Sequence, residues 1–202
     1  SGCLAPPDAE LAQSLADWWC VRLDQLVFVE GTPLDQRVGT TGHYVRIAPS
    51  DGGGPRRRIV VANRGGEQVD VGELVGLEFL ALVRYGLRPA GDARIVQSVK
   101  VIDAVLRKEM AGGPYYYRYQ DDGYGEHDDG RPFDGTGVGR LWPLLAGERG
   151  HYALEAGDDA TPYLQAMVAA RSPGGLIPEQ IWDADPIPSR RLFPGKPTGS
   201  AC

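Results

Sequence analysis

Two stretches with helical spacing of apolar residues, joined by a short glycine–proline turn, constrain the fold of this 202-residue chain most strongly. The first begins at Asp70, a residue type suited to cap a helix, and Glu73 follows three residues later as in a capping box. Gly86 ends this stretch, and the second covers residues 92–110 with one apolar stripe. Paired stretches of this kind predict antiparallel helices.

Other segments add helices and a few extended pieces. A weak helical pattern covers residues 8–17, and further helices are predicted over residues 139–146 and 158–170. Short extended pieces are predicted at residues 21–23, 26–29, 44–47 and 59–62. With 28 glycines and 16 prolines, long loops carry much of the chain. The sequence predicts an all-α fold with a few strand-like segments. Paired helices with loops at one end suggest a helical toroid, although the same period fits any helical bundle or repeat.

Composition argues against several classes of partner. A net charge of −6 does not suit a nucleic-acid partner, and the basic residues 55–58 are interpreted as a solvated turn. No apolar run approaches the roughly 20 residues that cross a membrane. The first residues carry no secretory leader, so we expect an intracellular chain or one trimmed from a precursor. Three scattered cysteines are too few for a disulfide framework or a metal site.

The loop over residues 114–142 is crowded with tyrosine, acidic and glycine residues. Arg118 sits among the tyrosines, of which Tyr119 follows it directly. A permanently charged guanidinium beside aromatic rings can donate several hydrogen bonds to sugar hydroxyls. The alternative is an aromatic core in which Arg118 pairs with Asp121 or Asp122.

The acidic residues of the same loop raise the question of a metal. Their carboxylates suit Ca²⁺, but their spacing does not match the twelve-residue EF-hand loop. His43, His127 and His151 lie far apart in the sequence, and no pair has metal-ligand spacing. We therefore predict no metal and no cofactor.

The segment at residues 174–183 places a carboxylate, an amide and an indole close together. Glu179, Gln180 and Trp182 follow Pro178 in a loop between glycine-rich and proline-rich flanks. A carboxylate held on a turn beside an aromatic platform is typical of sugar hydrolysis, because one group activates water and the other stacks on a sugar ring. The alternative is a surface glutamate without a role.

The order of these motifs resembles glycoside hydrolase family 15, the glucoamylase and glucodextranase family. The resemblance rests on collinear motifs between Asp70 and Ala201: EFLALVRYG, VIDA, YRY, DGYGE, GRLWPLL, GERGHY, PEQIWD and GKPTGSA. Residues 70–201 match well and residues 1–69 loosely. We therefore expect residues 1–202 to form the C-terminal portion of a single catalytic domain.

The resemblance implies part of an (α/α)6 barrel and inverting, exo-acting hydrolysis that releases β-glucose from the non-reducing ends of α-glucans. It makes Glu179 the general base, and it places Arg118 and Trp142 in the glucose-binding subsites. Tyr119, Gln180 and Trp182 are expected as neighbouring substrate-binding residues. The partner is then an α-glucan oligosaccharide or polysaccharide, with no nucleic acid or membrane, in an extracellular or periplasmic location.

The general acid of the family has no recognisable counterpart in this sequence. Glu30 and Glu67 are the nearest upstream carboxylates, and neither has the surroundings of the family motif. A catalytically incomplete carbohydrate-binding or assembly fragment is therefore an alternative. A relative specific for trehalose or another oligosaccharide is a further one.

Overall fold

The structure is a computed structural model that describes residues 6–47 and 57–198. The predictions for residues 55 and 56 of the basic turn and for residues 199–201 of the last motif lie outside these residues. The helices of the described part are α1 Pro6–Val27, α2 Pro33–Val38, α3 Ala81–Arg84, α4 Ala93–Val105, α5 Pro143–Ala156 and α6 Thr161–Ala169.

Short antiparallel strands connect these helices. β1 (Phe28–Glu30) pairs with β2 (Gly42–Tyr44), and β3 (Arg58–Val61) pairs with β4 (Glu67–Asp70). A three-stranded sheet has the order β5-β6-β7. Its strands are β5 Arg107–Met110, β6 Gly113–Tyr117 and β7 Leu141–Trp142. The prediction of an all-α fold is therefore not confirmed, because the helices share the described residues with three small sheets, and these residues form no closed barrel.

The helix predictions hold where a local signal marks a boundary. Asp92 caps α4, its carboxylate accepting the Arg94 amide at 2.8 Å, and Gly86 has φ +72 where the preceding stretch ends. Gly157, at φ +79, ends α5 at Ala156, whereas the sequence predicted this helix only to residue 146. Predicted extended residues 21–23 are instead helical, since α1 continues to Val27.

Three predicted helices differ from the observed structure for identifiable reasons. Residues 70–84 form two 3₁₀ turns followed by α3. Residues 107–110 form β5, because they pair with β6 rather than extend α4. The helix predicted from residue 139 begins at Pro143, whose missing N–H and fixed φ suit the first helical position.

The main core surrounds α4, which packs against α2 and β2. Ile95, Val101 and Ile102 of this helix are fully buried. A second apolar cluster lies between the β5-β6-β7 sheet and α6, and it includes Leu141 and Ile181. The sheet thus ties residues 113–117, 141–142 and 181 into one framework.

The long helix α1 is attached to this body near its C-terminal end. Asp24 accepts hydrogen bonds from Arg88 at 2.9 Å and Arg94 at 2.7 Å. Towards the N-terminus, Leu11 and Trp18 are more than half exposed. None of the described helices is both long enough and apolar enough to cross a membrane.

Candidate active site

Three segments distant in sequence meet beside the β5-β6-β7 sheet. We name them the arginine loop (residues 118–126), the tryptophan segment (residues 139–142) and the glutamate loop (residues 178–183). Leu141 accepts a hydrogen bond from the Ile181 amide at 2.9 Å, which fixes the second segment against the third. The sheet therefore gathers the residues that the sequence singled out.

Gln180 joins all three segments through its side-chain amide. Its Oε1 accepts the Arg140 backbone N–H at 3.2 Å, and its Nε2 donates to the Tyr124 carbonyl at 3.0 Å. The side chain is fully buried. Gln180 therefore positions backbone in this structure and presents no surface to a ligand.

Arg118 lies at the centre of an aromatic cage. Its Nε and Nη2 donate to the two carboxylate oxygens of Asp122 at 2.9 and 2.8 Å. The guanidinium carbon is 5.0 Å from the ring centroids of Tyr119 and Trp142 and 5.1 Å from that of Tyr124. The structure thus shows the alternative interpretation, an aromatic setting in which Arg118 pairs with Asp122, and sugar binding by Arg118 stays a prediction.

The charge of Arg118 is held in place by its surroundings. Burial lowers the pKa of Arg118, but the hydrogen bonds and negative charge of Asp122 outweigh this effect and raise the pKa overall. The side chain stays 28% exposed, whereas that of Asp122 is 2% exposed. A fixed cation of this kind can still donate from its exposed edge.

Tyr119 and Trp142 form the walls of the cage. The Tyr119 ring also carries the guanidinium of Arg46, 3.8 Å from its centroid. Trp142 lies tilted against Tyr124, with 6.3 Å between ring centroids. The buried indole N–H of Trp142 makes no hydrogen bond within the part of the chain that the structure describes. An unsatisfied buried donor is rare in folded proteins.

Glu179 is half-buried at the start of the glutamate loop. Its Oε2 lies 3.5 Å from the hydroxyl of Tyr124. Tyr124 in turn packs edge-on against Phe133, with centroids 5.0 Å apart. The carboxylate that the sequence singled out therefore faces the aromatic cage of Arg118.

The side chain of Trp182 is enclosed within the protein near the end of the glutamate loop. The indole is fully buried, and its Nε1 donates to the Asp185 carbonyl at 2.8 Å. The Arg140 guanidinium stacks on its ring at 4.1 Å from the centroid. In this structure the indole of Trp182 is enclosed by contacts within the protein, and its role in substrate binding stays a prediction.

Arg140 and Asp183, which the sequence did not single out, form a buried ion pair beside Trp182. Arg140 Nη1 and Asp183 Oδ1 are 3.3 Å apart, and the two side chains are 3% and 5% exposed. Asp183 also accepts from Lys108 Nζ at 2.9 Å and from the Tyr117 hydroxyl. Burial, followed by the hydrogen bond and charge of Asp183, raises the pKa of Tyr117. Arg140 lies in the motif GRLWPLL and Asp183 in PEQIWD, in which only the glutamate, the glutamine and the tryptophans carried an expected role.

Residues 6–47 and 57–198 contain no cluster of side chains suited to bind a metal ion. No three His, Cys, Asp or Glu side chains in these ranges are grouped to hold a metal ion. His43 is fully buried, and its two ring nitrogens face Asp35 Oδ1 at 2.7 Å and the Gly72 carbonyl at 3.0 Å. This histidine therefore links elements of the core.

Comparison with known proteins gives matches over nearly the whole chain, although no family profile matches it. A glucoamylase of Clostridium sp. (strain G0005) is 40% identical over 186 residues, which cover 92% of this chain and 26% of the relative. The crystal structure of a bacterial glucoamylase complexed with acarbose superposes with a TM-score of 0.81 at 40% identity, covering 94% of this chain and 26% of the other.

A more distant structure, described as a wild-type glycosidase, has a TM-score of 0.54 at 20% identity and shares the fold. It covers 95% of this chain and 37% of the other. This chain thus spans about a quarter of the length of the glucoamylases that it matches. Over that span its sequence and fold are similar to part of a bacterial glucoamylase.

Proposed function

We propose that this chain, which corresponds to part of a glucoamylase-type domain, carries the general base and part of the sugar-binding surface of an inverting α-glucan hydrolase. The enzyme would release β-D-glucose from non-reducing ends of α-glucan oligosaccharides or polysaccharides. The observation that carries the proposal is the approach of Glu179 to the hydroxyl of Tyr124, whose ring lies beside Arg118. The likeness to an acarbose-bound glucoamylase, which covers 94% of this chain, supports it.

The chemistry assigns one role to each part of the site. Ionised Glu179 takes a proton from a water molecule that attacks the anomeric carbon from the face opposite the leaving group. Arg118 donates hydrogen bonds to sugar hydroxyls from the exposed edge of its guanidinium. Tyr119 and Trp142, which are each 9% exposed, line this position with aromatic rings.

An inverting site also needs a protonated carboxyl about 6.5–9.5 Å from the base, to protonate the leaving oxygen. Glu67, one of the upstream candidates, has a 61% exposed side chain 3.1 Å from Arg64. Glu67 lies in β4, outside the three site segments, and its exposed side chain pairs with Arg64, so it does not suit this role. We therefore place the general acid elsewhere in the complete enzyme, and we propose that residues 1–202 are the C-terminal portion of one catalytic domain.

Two other functions remain candidates. A catalytically incomplete carbohydrate-binding or assembly fragment is favoured by the unsuitable setting of Glu67. A trehalose-specific relative would keep Glu179 and change only the loops that select the linkage. For each of them we propose, from the family resemblance, an extracellular or periplasmic location.

Proton NMR of the anomeric region tests these candidates directly. The 202-residue chain is mixed in turn with maltotetraose, isomaltotetraose and trehalose, and early β-glucose is sought before mutarotation. Release of β-glucose supports the inverting hydrolase, and the substrate that yields it identifies the linkage. Line broadening without glucose supports the binding fragment. Early α-glucose would contradict the inverting mechanism.

A further inference from the structure

We propose that Arg140 is a positioning residue, which holds the glutamate loop in register with the arginine loop. This inference rests on the proposed function only for the assignment of Glu179 as the general base. The mechanical role of Arg140 stands on its own contacts. Arg140 would act through the residues that it positions, without contacting the reacting groups.

Arg140 first binds the end of the arginine loop. Its Nε and Nη2 both donate to the Glu126 carbonyl, at 3.1 and 2.6 Å. Nη2 also lies 3.3 Å from Oδ1 of Asp128, just beyond that loop. One side of the guanidinium is thus hydrogen-bonded to the backbone at Glu126.

The rest of the guanidinium binds the glutamate loop. Nη1 donates to Asp183 at 3.3 Å, and the guanidinium plane lies over Trp182. The backbone N–H of Arg140 donates to Gln180. Three of the four residues that follow Glu179 are therefore in contact with Arg140.

This arrangement needs an arginine rather than any cation. The planar guanidinium donates in several directions and stacks on an indole at the same time, whereas an ammonium is a compact charge. Lys108 already supplies an ammonium to Asp183. In Arg140→Lys, Asp183 therefore keeps a cationic partner, while the link that the Arg140 side chain makes between the two loops is lost.

Arg149 provides a matched control elsewhere in the molecule. Its Nε and Nη2 donate to Asp103 at 3.2 and 2.9 Å, and its side chain is 9% exposed. It also stacks on Tyr163, with 5.2 Å to the centroid. Arg149→Lys removes the same kind of buried, stacked ion pair without touching the three site segments.

Hydrogen–deuterium exchange of the free 202-residue chain tests the proposal without a ligand. In Arg140→Lys, exchange should become roughly tenfold faster in the arginine and glutamate loops. In Arg149→Lys, the faster exchange should lie in α4 and α5 instead. Unchanged exchange in both loops of Arg140→Lys, or equal acceleration there in Arg149→Lys, would overturn the proposal.

A second variant keeps the test decisive if Arg140→Lys folds poorly. Asp183→Asn leaves the bonds from Arg140 to the Glu126 carbonyl and weakens those to the glutamate loop. Exchange should then rise in the glutamate loop and stay as in the wild type in the arginine loop. A uniform rise across both loops would contradict a link made by Arg140.

Acarbose binding by calorimetry relates the link to the site and separates the two proposals. Arg140→Lys should weaken acarbose roughly tenfold, since small displacements of positioning groups have large effects. Arg149→Lys should have a urea midpoint similar to that of Arg140→Lys, yet bind acarbose within about twofold of the wild type. Failure of the wild-type chain to bind would count against the proposed function, while the exchange result would still decide the role of Arg140. Unweakened binding in Arg140→Lys would refute the positioning role.

Discussion

The hydroxyl of Tyr124 lies 3.5 Å from Oε2 of Glu179, although the two residues are 55 positions apart in the chain. Gln180 maintains this approach, because its amide donates to the Tyr124 carbonyl at 3.0 Å. The hydrogen bond from the Gln180 side chain to the Tyr124 carbonyl thus holds the phenol of Tyr124 near the carboxylate of Glu179. A substrate in the Arg118 cage would meet both groups.

Glu179→Gln tests the role of the carboxylate. An amide of the same shape cannot accept a proton from water, so glucose release by the complete enzyme should fall by about 10³-fold or more. Oligosaccharide affinity should stay within a few fold, because the Arg118 cage is unchanged. Initial rates on maltotetraose and calorimetric affinities provide the measurement. Glu155→Gln, an exposed change on α5, is the control, and retained turnover in Glu179→Gln would remove Glu179 from the mechanism.

Tyr124→Phe separates the hydroxyl from the ring. The ring would keep its edge contact with Phe133, while Glu179 would lose a donor at the long limit of hydrogen bonding. We expect kcat to fall by no more than roughly tenfold, with acarbose affinity almost unchanged. Steady-state kinetics and calorimetry measure the two effects. A loss of affinity without a loss of kcat would instead make Tyr124 a sugar-binding residue.

Local signals in the sequence were sufficient where one residue decides a boundary, as Asp92 does for α4. They failed over residues 70–84, where the leucine spacing fits a helix. There the chain pairs with a distant segment: Gly76 bridges Tyr119, and the Gln120 amide donates to the Val75 carbonyl at 3.3 Å. Tertiary pairing overrides helical spacing in this stretch.

The sequence singled out site residues by their type but could not predict their exposure. Arg118 and Glu179 are polar residues in loops, and Tyr124 lies near both of them. An indole serves equally well as a sugar platform or as part of the core. The sequence therefore could not predict that the side chain of Trp182 is buried. Arg140 was missed because its partners Glu126 and Asp183 are 14 and 43 residues away.

The buried carboxylate of Asp35 predicts how stability depends on pH. Burial raises its pKa, but hydrogen bonds from His43 and from the Thr32 backbone and hydroxyl outweigh this, so the pKa is lowered overall. A lowered pKa contributes stability that is complete above the unfolded value of about 3.9 and is lost as the pH falls through the folded value. Urea unfolding from pH 7 to pH 3 measures this dependence.

Asp35→Asn is the matching variant. At pH 7 it should lower the free energy of unfolding by about 2 kcal/mol, since a buried charge-assisted hydrogen bond to His43 is lost. Below about pH 4 the difference between variant and wild type should shrink, because the wild-type carboxylate becomes protonated as well. A difference that stays constant over this range would show that the Asp35 charge does not contribute.

Gly137→Ala tests the close packing of the loop that carries the site. A Cβ at this position would lie 2.0 Å from the Gly125 carbonyl oxygen and 3.2 Å from that of Gly123. Backbone must then move, at a cost of about 1–3 kcal/mol in the free energy of unfolding. Because the displaced backbone adjoins Tyr124, acarbose affinity should fall as well.

Gly91→Ala is the control for this prediction, because a Cβ there meets nothing within 4 Å and the turn before α4 is far from the site in the chain. Its urea midpoint should be unchanged or slightly raised, since alanine restricts the unfolded chain. The two variants are compared by urea unfolding and by calorimetric titration with acarbose. If Gly137→Ala matches Gly91→Ala in both measurements, the backbone at residues 123–125 yields without cost, and the tight approach to Gly125 has no role in shaping the site.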